Sequence, residues 1–388
     1  MEKYSETYDP VPERPKLDWA PVLRLLPWIL LIPVGIAVPF FCSGRPEVFE
    51  RYATEIYPGI KDALSSITSL VPVSVAEAIV YALVLGIPVL LITRLIPVLK
   101  RKASPVQYVC LVEKILIAAG IVWILFYATW GFNYFRSPLK ERMGLDVKPV
   151  EVQKLYELTK ELAEKTSEAR ELVPEDGEGV FCLQDPDVSK TFQRIPDAYR
   201  MLSEAYPVFS GKVTPAKPVS WSEGLSWSGI SGIYIGLTAE PNVNVDQPTL
   251  LIPCAAAHEE AHQLGIASEN EAELAGTLAC LYSTSPAVVY SGLANALIHC
   301  GNALVAASPE LYEKARAFYS EKVLLDFRSY NAYWDRYEGK VEETVTEMND
   351  SYLKHNAQES GVRGYGEVVD LLLALREQQN FLDSINIF

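Results

Sequence analysis

Histidine is scarce in this chain: there are four in 388 residues, at His258, His262, His299 and His355. Positive charge is also short. Lys and Arg number 34 against 49 Asp and Glu, a net charge of −15. Nucleic acid is therefore excluded as a partner, because its recognition needs a basic patch. Internal repeats and long low-complexity runs are missing. The first apolar run is too long and too proline-rich for a signal-peptide core, and no small-residue cleavage site follows it. Of six cysteines, Cys42 and Cys110 fall in apolar runs and read as packing residues. Cys182, Cys254, Cys280 and Cys300 fall in the polar remainder, where an even number permits disulfides outside the cell but fixes no connectivity.

The mean hydropathy of +0.10 hides a split between an apolar first third and a polar, helical remainder. Three apolar stretches, LLPWILLIPVGIAVPFFC, the run from about Val71, and ILIAAGIVWILFYATWGFNYF, each approach the ~20 residues that cross a bilayer. They predict spans at about 22–43, 71–98 and 108–135, hence a membrane domain over 1–136 and a second domain over 137–388. Trp28 and Trp130 suit interfacial belts, while Trp123 lies too deep. The short turn RLIPVLKRKASP carries Arg94, Lys100, Arg101 and Lys102. Positive short loops stay in the cytoplasm. The amino terminus is then inside, and the Ser43–Leu70 loop and everything after Phe135 are outside.

The stretch AAAHEEAHQLGIASENEAELAG holds His258-Glu259-Glu260-Ala261-His262, an HExxH match. Four histidines scattered at random among the glutamates would give on the order of 0.003 such matches. An i, i+4 pair lies on one face of a helix, so both imidazoles can reach one tetrahedral Zn²⁺. Glu259, on the same turn, is placed to take a proton from a water whose pKa the metal lowers. A catalytic zinc needs a third protein ligand, and Glu269, Glu271 and Glu273 follow at once. On a helix starting at Ser268, Glu269 and Glu273 share a face and Glu271 points elsewhere. Zinc peptidases of the gluzincin type carry Glu-x-x-x-Asp on a second helix, and Glu269-Asn-Glu-Ala-Glu273 resembles it. That likeness implies Glu269 as ligand, Glu271 in reserve and Glu273 steadying a ligand histidine. Gly265 supplies the turn between the two helices. Cys254, four residues before His258, is a further conceivable ligand.

Around the motif the periodicity predicts helices over about 148–173, 189–206, 250–264, 286–307, 310–337, 341–355 and 367–378, with one more carrying the acidic cluster. SGIYIGL (231–237) is the best strand. A strand before an HExxH helix either pairs with an extended substrate or is an ordinary hairpin. The apolar segment 286–307 is expected in the domain core, since it carries Asn295, His299 and Asn302. Tyr290, Tyr234 and His299 are candidate donors to a developing oxyanion, with Tyr290 placed beside Glu259 as the catalytic pair. Glu240 and Asn244 are expected to shape the cleft. His355 belongs on the surface, and Asn133 and Arg136 in an interfacial anchor.

WGFNYFRSPLKERMGL (Trp130–Leu145), GIYIGLTAEPNVN (Gly232–Asn244), AAAHEEAHQLGIASENEAELAGTLAC (Ala255–Cys280) and Tyr290-Ser-Gly292 resemble a family of bacterial membrane proteins of unknown function. Its members have three N-terminal spans followed by an extracytoplasmic HExxH domain. The likeness implies a mainly α membrane protein, with three N-terminal transmembrane helices and an α-rich zincin-like domain holding a small β element before the HExxH helix. The function expected is a zinc metallopeptidase in the bacterial plasma membrane, with one Zn²⁺ per chain and a peptide or protein substrate. The alternative is a non-catalytic zinc-binding receptor or envelope assembly factor, whose closed site would need a fourth protein ligand such as Cys254 or Glu271. Cleavage within the bilayer is disfavoured, because Glu260 and Gln263 make the motif helix too polar for lipid.

Overall fold

The computed structural model describes residues 17–356, 358, 365–379 and 381–385. The chain is mainly helical, with one three-stranded sheet. Among the described residues, four helices are long and apolar enough to cross a membrane: Ala20–Cys42, Val75–Leu99, Pro105–Thr129 and Pro286–Ala307. Burial separates the last from the others. Its apolar window is 72% buried within the protein, against 17%, 6% and 11% for the first three. Helix Pro286–Ala307 is a core element.

The chain forms two compact units, and they are not consecutive halves. One is Met1–Val38 with Ala78–Leu125; the other is Pro39–Glu77 with Phe126–Phe388. In the first, the face of Gly35 lies against Trp123 and that of Gly120 against Leu31 and Ile32. Small residues there let two helices approach closely.

The second unit takes in the Ser43–Leu70 loop between the first two apolar helices, which was expected only as an outer loop. The loop is instead largely helical, including Pro46–Arg51 and Tyr57–Thr68. Tyr57, Lys61, Ser65 and Thr68 are buried. Their spacing is helical, but three of the four are polar, so hydropathy hides the stripe. Arg136 grips Glu50 through two hydrogen bonds, of 3.1 and 2.8 Å. The same guanidinium donates to the Gly265 carbonyl at 2.9 Å.

At the centre lies the motif helix, Ile252–Gln263, of which every residue but His258 is buried. Ala255, Ala256, Ala257 and Ala261 keep it thin, so neighbours close in on all sides. The carboxylate helix, Glu269–Leu281, crosses it so tightly that a Cβ on Gly276 would stand 2.7 Å from the His258 nitrogen. Helices Pro286–Ala307, Val152–Arg170 and Ile195–Ala205 complete the core. The turn between the motif and carboxylate helices passes through Gly265 at φ +80°, a conformation glycine adopts without penalty. Ser268 is the residue before the carboxylate helix, as expected, but its side chain makes no capping bond. The helix expected over 310–337 is two, Pro309–Arg316 and Glu321–Trp334, because the Ser320 hydroxyl accepts from Val323 N–H and starts a new one.

Strands β1 (Lys217–Pro218), β2 (Gly232–Ile235) and β3 (Glu240–Val243) are ordered β1-β3-β2. β1 is parallel and β2 antiparallel to β3. The sheet is stitched to the motif helix by that helix's own polar residues. Glu260 accepts from Ala216 N–H at 3.1 Å, and Gln263 holds Thr214 N–H at 2.7 Å and the Ala239 carbonyl at 2.7 Å.

Candidate metal centre

The motif helix and the turn after it bring three ligand atoms together. One atom each from His258, His262 and Glu269 lies within 4.8 Å of the others. His258 Nε2 is 3.3 Å and His262 Nε2 3.7 Å from Glu269 Oε2. The remaining ring nitrogens are occupied. His258 Nδ1 is 2.9 Å from Glu273 Oε2, and His262 Nδ1 is 2.7 Å from the Ile266 carbonyl. Both partners are acceptors, so each Nδ1 donates a proton and each Nε2 is turned toward Glu269. Trp130 fixes His262 from behind, its Nε1 donating to the His262 carbonyl at 3.0 Å. Its ring meets that imidazole edge-on.

Two imidazoles and a carboxylate suit zinc, and the donor set fits it. The carboxylate is ionised, as a ligand must be. Burial opposes the charge of Glu269, but His262 and His258 outweigh it and hold the group below the usual range. Glu273 is lowered in the same way by His258 and His299. Glu259 is different. It is only 3% exposed, its Oε2 has no hydrogen-bond partner among the described residues, and burial pushes its pKa up to about 7. Space for this carboxyl exists because residue 232 is glycine: a Cβ there would stand 2.6 Å from Glu259 Oε1.

His258, Glu259, Glu269 and Glu273 line a cleft of about 300 Å³, shared with Gly232, Gln247, Asn295, His299 and Tyr330. His299 Nε2 lies 3.1 Å from Glu273 Oε1, to which Asn295 also donates. Glu273 thus bridges His258 and His299. Asn295 stands one helical turn before His299 on a helix that the sequence placed in the core, and that i, i+4 spacing was the signal for it. Nothing local in the sequence marks Gln247, Tyr330 or Trp130 as neighbours of the site.

Several expected roles are corrected. Tyr290 is fully buried away from the cleft, its hydroxyl 2.5 Å from Asp326 Oδ2, so it is no oxyanion donor. Tyr234 lies on β2, but its hydroxyl is spent on Tyr57 at 3.1 Å. Glu271 accepts from Leu139 N–H at 2.5 Å and from Arg142 at 3.5 Å, which removes it as a reserve ligand. Cys254 lines the cleft, yet the ligand cluster leaves it out. Asn133 and Arg136, expected as an interfacial anchor, are bound within the domain instead. All six cysteines are free thiols, including the four considered for disulfides. Glu240 and Asn244 are buried structural groups. Glu240 pairs with Lys217 and accepts from Val75 and Ala76 N–H; Asn244 donates to Ser226 and to the Ile230 carbonyl. His355 is exposed, as expected.

The register of β2 shows what its outer edge offers. Tyr234 faces Pro241, which has no N–H, while Asn244 N–H bonds to the Ser231 carbonyl at 2.9 Å. Bonded pairs alternate along an antiparallel ladder, so residues 231, 233 and 235 turn their backbone groups to β3. Gly232 and Tyr234 turn theirs to the free edge, alongside Glu259.

No curated protein and no solved structure matches this chain. Residues 52–373, which take in the motif helix, the carboxylate helix and helix Pro286–Ala307, match the family described as Protein of unknown function (DUF3810). The chain belongs to the DUF3810 family.

Proposed function

We propose that this protein is a membrane-anchored zinc metallopeptidase that hydrolyses peptide bonds of a protein or peptide at the outer face of the plasma membrane. Ala20–Cys42, Val75–Leu99 and Pro105–Thr129 are its three spans, and the second compact unit is a zincin-like domain. The outward orientation rests on the four positive charges between Arg94 and Lys102. One observation carries the activity: two imidazole Nε2 atoms and Glu269 Oε2 converge within 4.8 Å of one another, and a buried carboxyl with an unpartnered oxygen stands beside them.

His258, His262 and Glu269 would hold the zinc, which supplies Lewis acidity to a water and to the scissile carbonyl. Glu259 Oε2 takes the proton of the attacking water and returns it to the leaving nitrogen, the two halves of general acid–base catalysis. Glu273 keeps the His258 ring turned with Nε2 forward. The free edge of β2 binds the substrate backbone through Gly232 and Tyr234 as an added strand.

The test is zinc stoichiometry in detergent-purified wild type and Glu269→Ala, with digestion of a mixed peptide pool by wild type and Glu259→Gln. The reading expects about one zinc per chain, lost in Glu269→Ala. It expects cleavage that Glu259→Gln lowers by about 10²–10⁴-fold with its zinc retained. A folded wild type without zinc would sink it. Zinc without cleavage of any peptide would move the weight to a binding or assembly role.

A further inference from the structure

Three contacts tie the cleft to the ends of the apolar helices. Trp130, the residue after helix Pro105–Thr129, holds the His262 carbonyl through its indole N–H. Glu240 on β3 accepts from Val75 and Ala76 N–H, at 3.0 and 2.8 Å, in the first turn of helix Val75–Leu99. Glu77 in that turn accepts in its own right from Ser220 and Trp221 N–H, at 3.0 and 2.9 Å.

The third contact fixes a height. The charge-free stretch 78–93 rises about 24 Å at 1.5 Å per residue, less than the ~30 Å of a hydrocarbon core. The apolar slab therefore reaches up to Glu77, whose carboxylate accepts from the two backbone N–H groups. Trp221 is held at the same level, and its side chain is 65% exposed. The turn entering the helix is apolar and exposed too, with Ile67 at 66%, Leu70 at 81% and Val73 at 61%. An exposed indole beside such a turn, level with the end of a span, is the composition of an interfacial belt.

Resting on the peptidase reading, we propose that Trp221 and the 67–73 turn sit in the membrane interface, and that the cleft takes polypeptides anchored in the same bilayer, cutting them next to the anchor. Trp221 leads through the short helix Ser222–Ser226 and a turn into β2, whose free edge lies against Glu259. Anchoring raises a substrate's local concentration at the cleft over that of a free peptide.

Two measurements test this on the full chain in vesicles. The first is tryptophan quenching by phosphatidylcholine brominated near the headgroup, in wild type and Trp221→Phe. The proposal expects the substitution to remove quenchable emission; removal of unquenched emission alone overturns it. The second compares one peptide pool presented free and presented with a C-terminal acyl anchor. Anchored peptides should be cut at least about tenfold faster, with cuts clustered beside the anchor. Trp221→Ser should erase that preference while leaving the rate on free peptides unchanged. Equal cutting of both pools overturns the proposal and leaves the peptidase standing. Cutting of neither pool by zinc-loaded wild type overturns the peptidase reading and the substrate class together, while the quenching result still decides where Trp221 lies.

Discussion

Helix Pro286–Ala307 serves two buried charged clusters on opposite faces. Tyr290 joins Arg170 and Asp326; nine residues on, His299 joins Glu273 and His258. Both clusters contain charged groups that burial penalises. In the first, every need is met internally. Arg170 donates to Asp326 at 2.6 Å and to the Gly179 carbonyl at 2.8 Å, and Asp326 also receives Phe181 N–H at 2.8 Å and the Tyr290 hydroxyl. In the second, two imidazole Nε2 atoms and a carboxylate oxygen crowd within 4.8 Å of one another, and Glu259 keeps a bare buried oxygen. The first cluster is complete without a guest and the second is not. Unmet valence, more than burial or charge, separates a site from a strut.

Substitutions should divide along that line. Asp326→Ala leaves the buried Arg170 guanidinium with only the longer 3.4 Å contact to the exposed Glu175 carboxylate as counter-charge, and stability should fall by about 3–5 kcal/mol in denaturant unfolding. A variant that still folds should keep its zinc; lost zinc would mean the clusters are one network. Glu273→Gln should do the reverse, weakening zinc binding about 10–100-fold in competition with a chelator with little change in stability. Unchanged affinity would show that Glu273 does not orient His258. Tyr290→Phe removes one hydroxyl donated to a carboxylate and should cost about 1.5–2 kcal/mol of stability. Peptide cleavage should stay at the wild-type rate; a large loss of cleavage would restore Tyr290 to the catalytic machinery.

The two clusters also differ in how they were written. His258, Glu259, His262, Glu269 and Glu273 lie on two helices joined by a short turn, so helical spacing alone puts the ligand candidates on matching faces. Arg170, Asp326 and Tyr290 come from three distant helices, and no spacing connects them. Tyr290 was accordingly misread as a donor at the cleft. Local pattern failed in the same way for the loop between the first two apolar helices. Its buried stripe of Tyr57, Lys61, Ser65 and Thr68 is too polar for hydropathy to mark. Helix Pro286–Ala307 was legible as core, because Asn295, His299 and Asn302 broke its apolar run.

The sequence by itself determined the helical elements, the apolar helices and the pairing of two histidines with a glutamate one turn on, since each depends on residues a few positions apart. Tertiary structure decided what each acid meets: two imidazoles for Glu269, Leu139 and Arg142 for Glu271. It also decided that Trp130 and Tyr57, from outside the predicted second domain, brace the motif helix at the His262 and Gln263 carbonyls. Such contacts between positions more than a hundred residues apart are set by how whole elements pack, and no local pattern carries them.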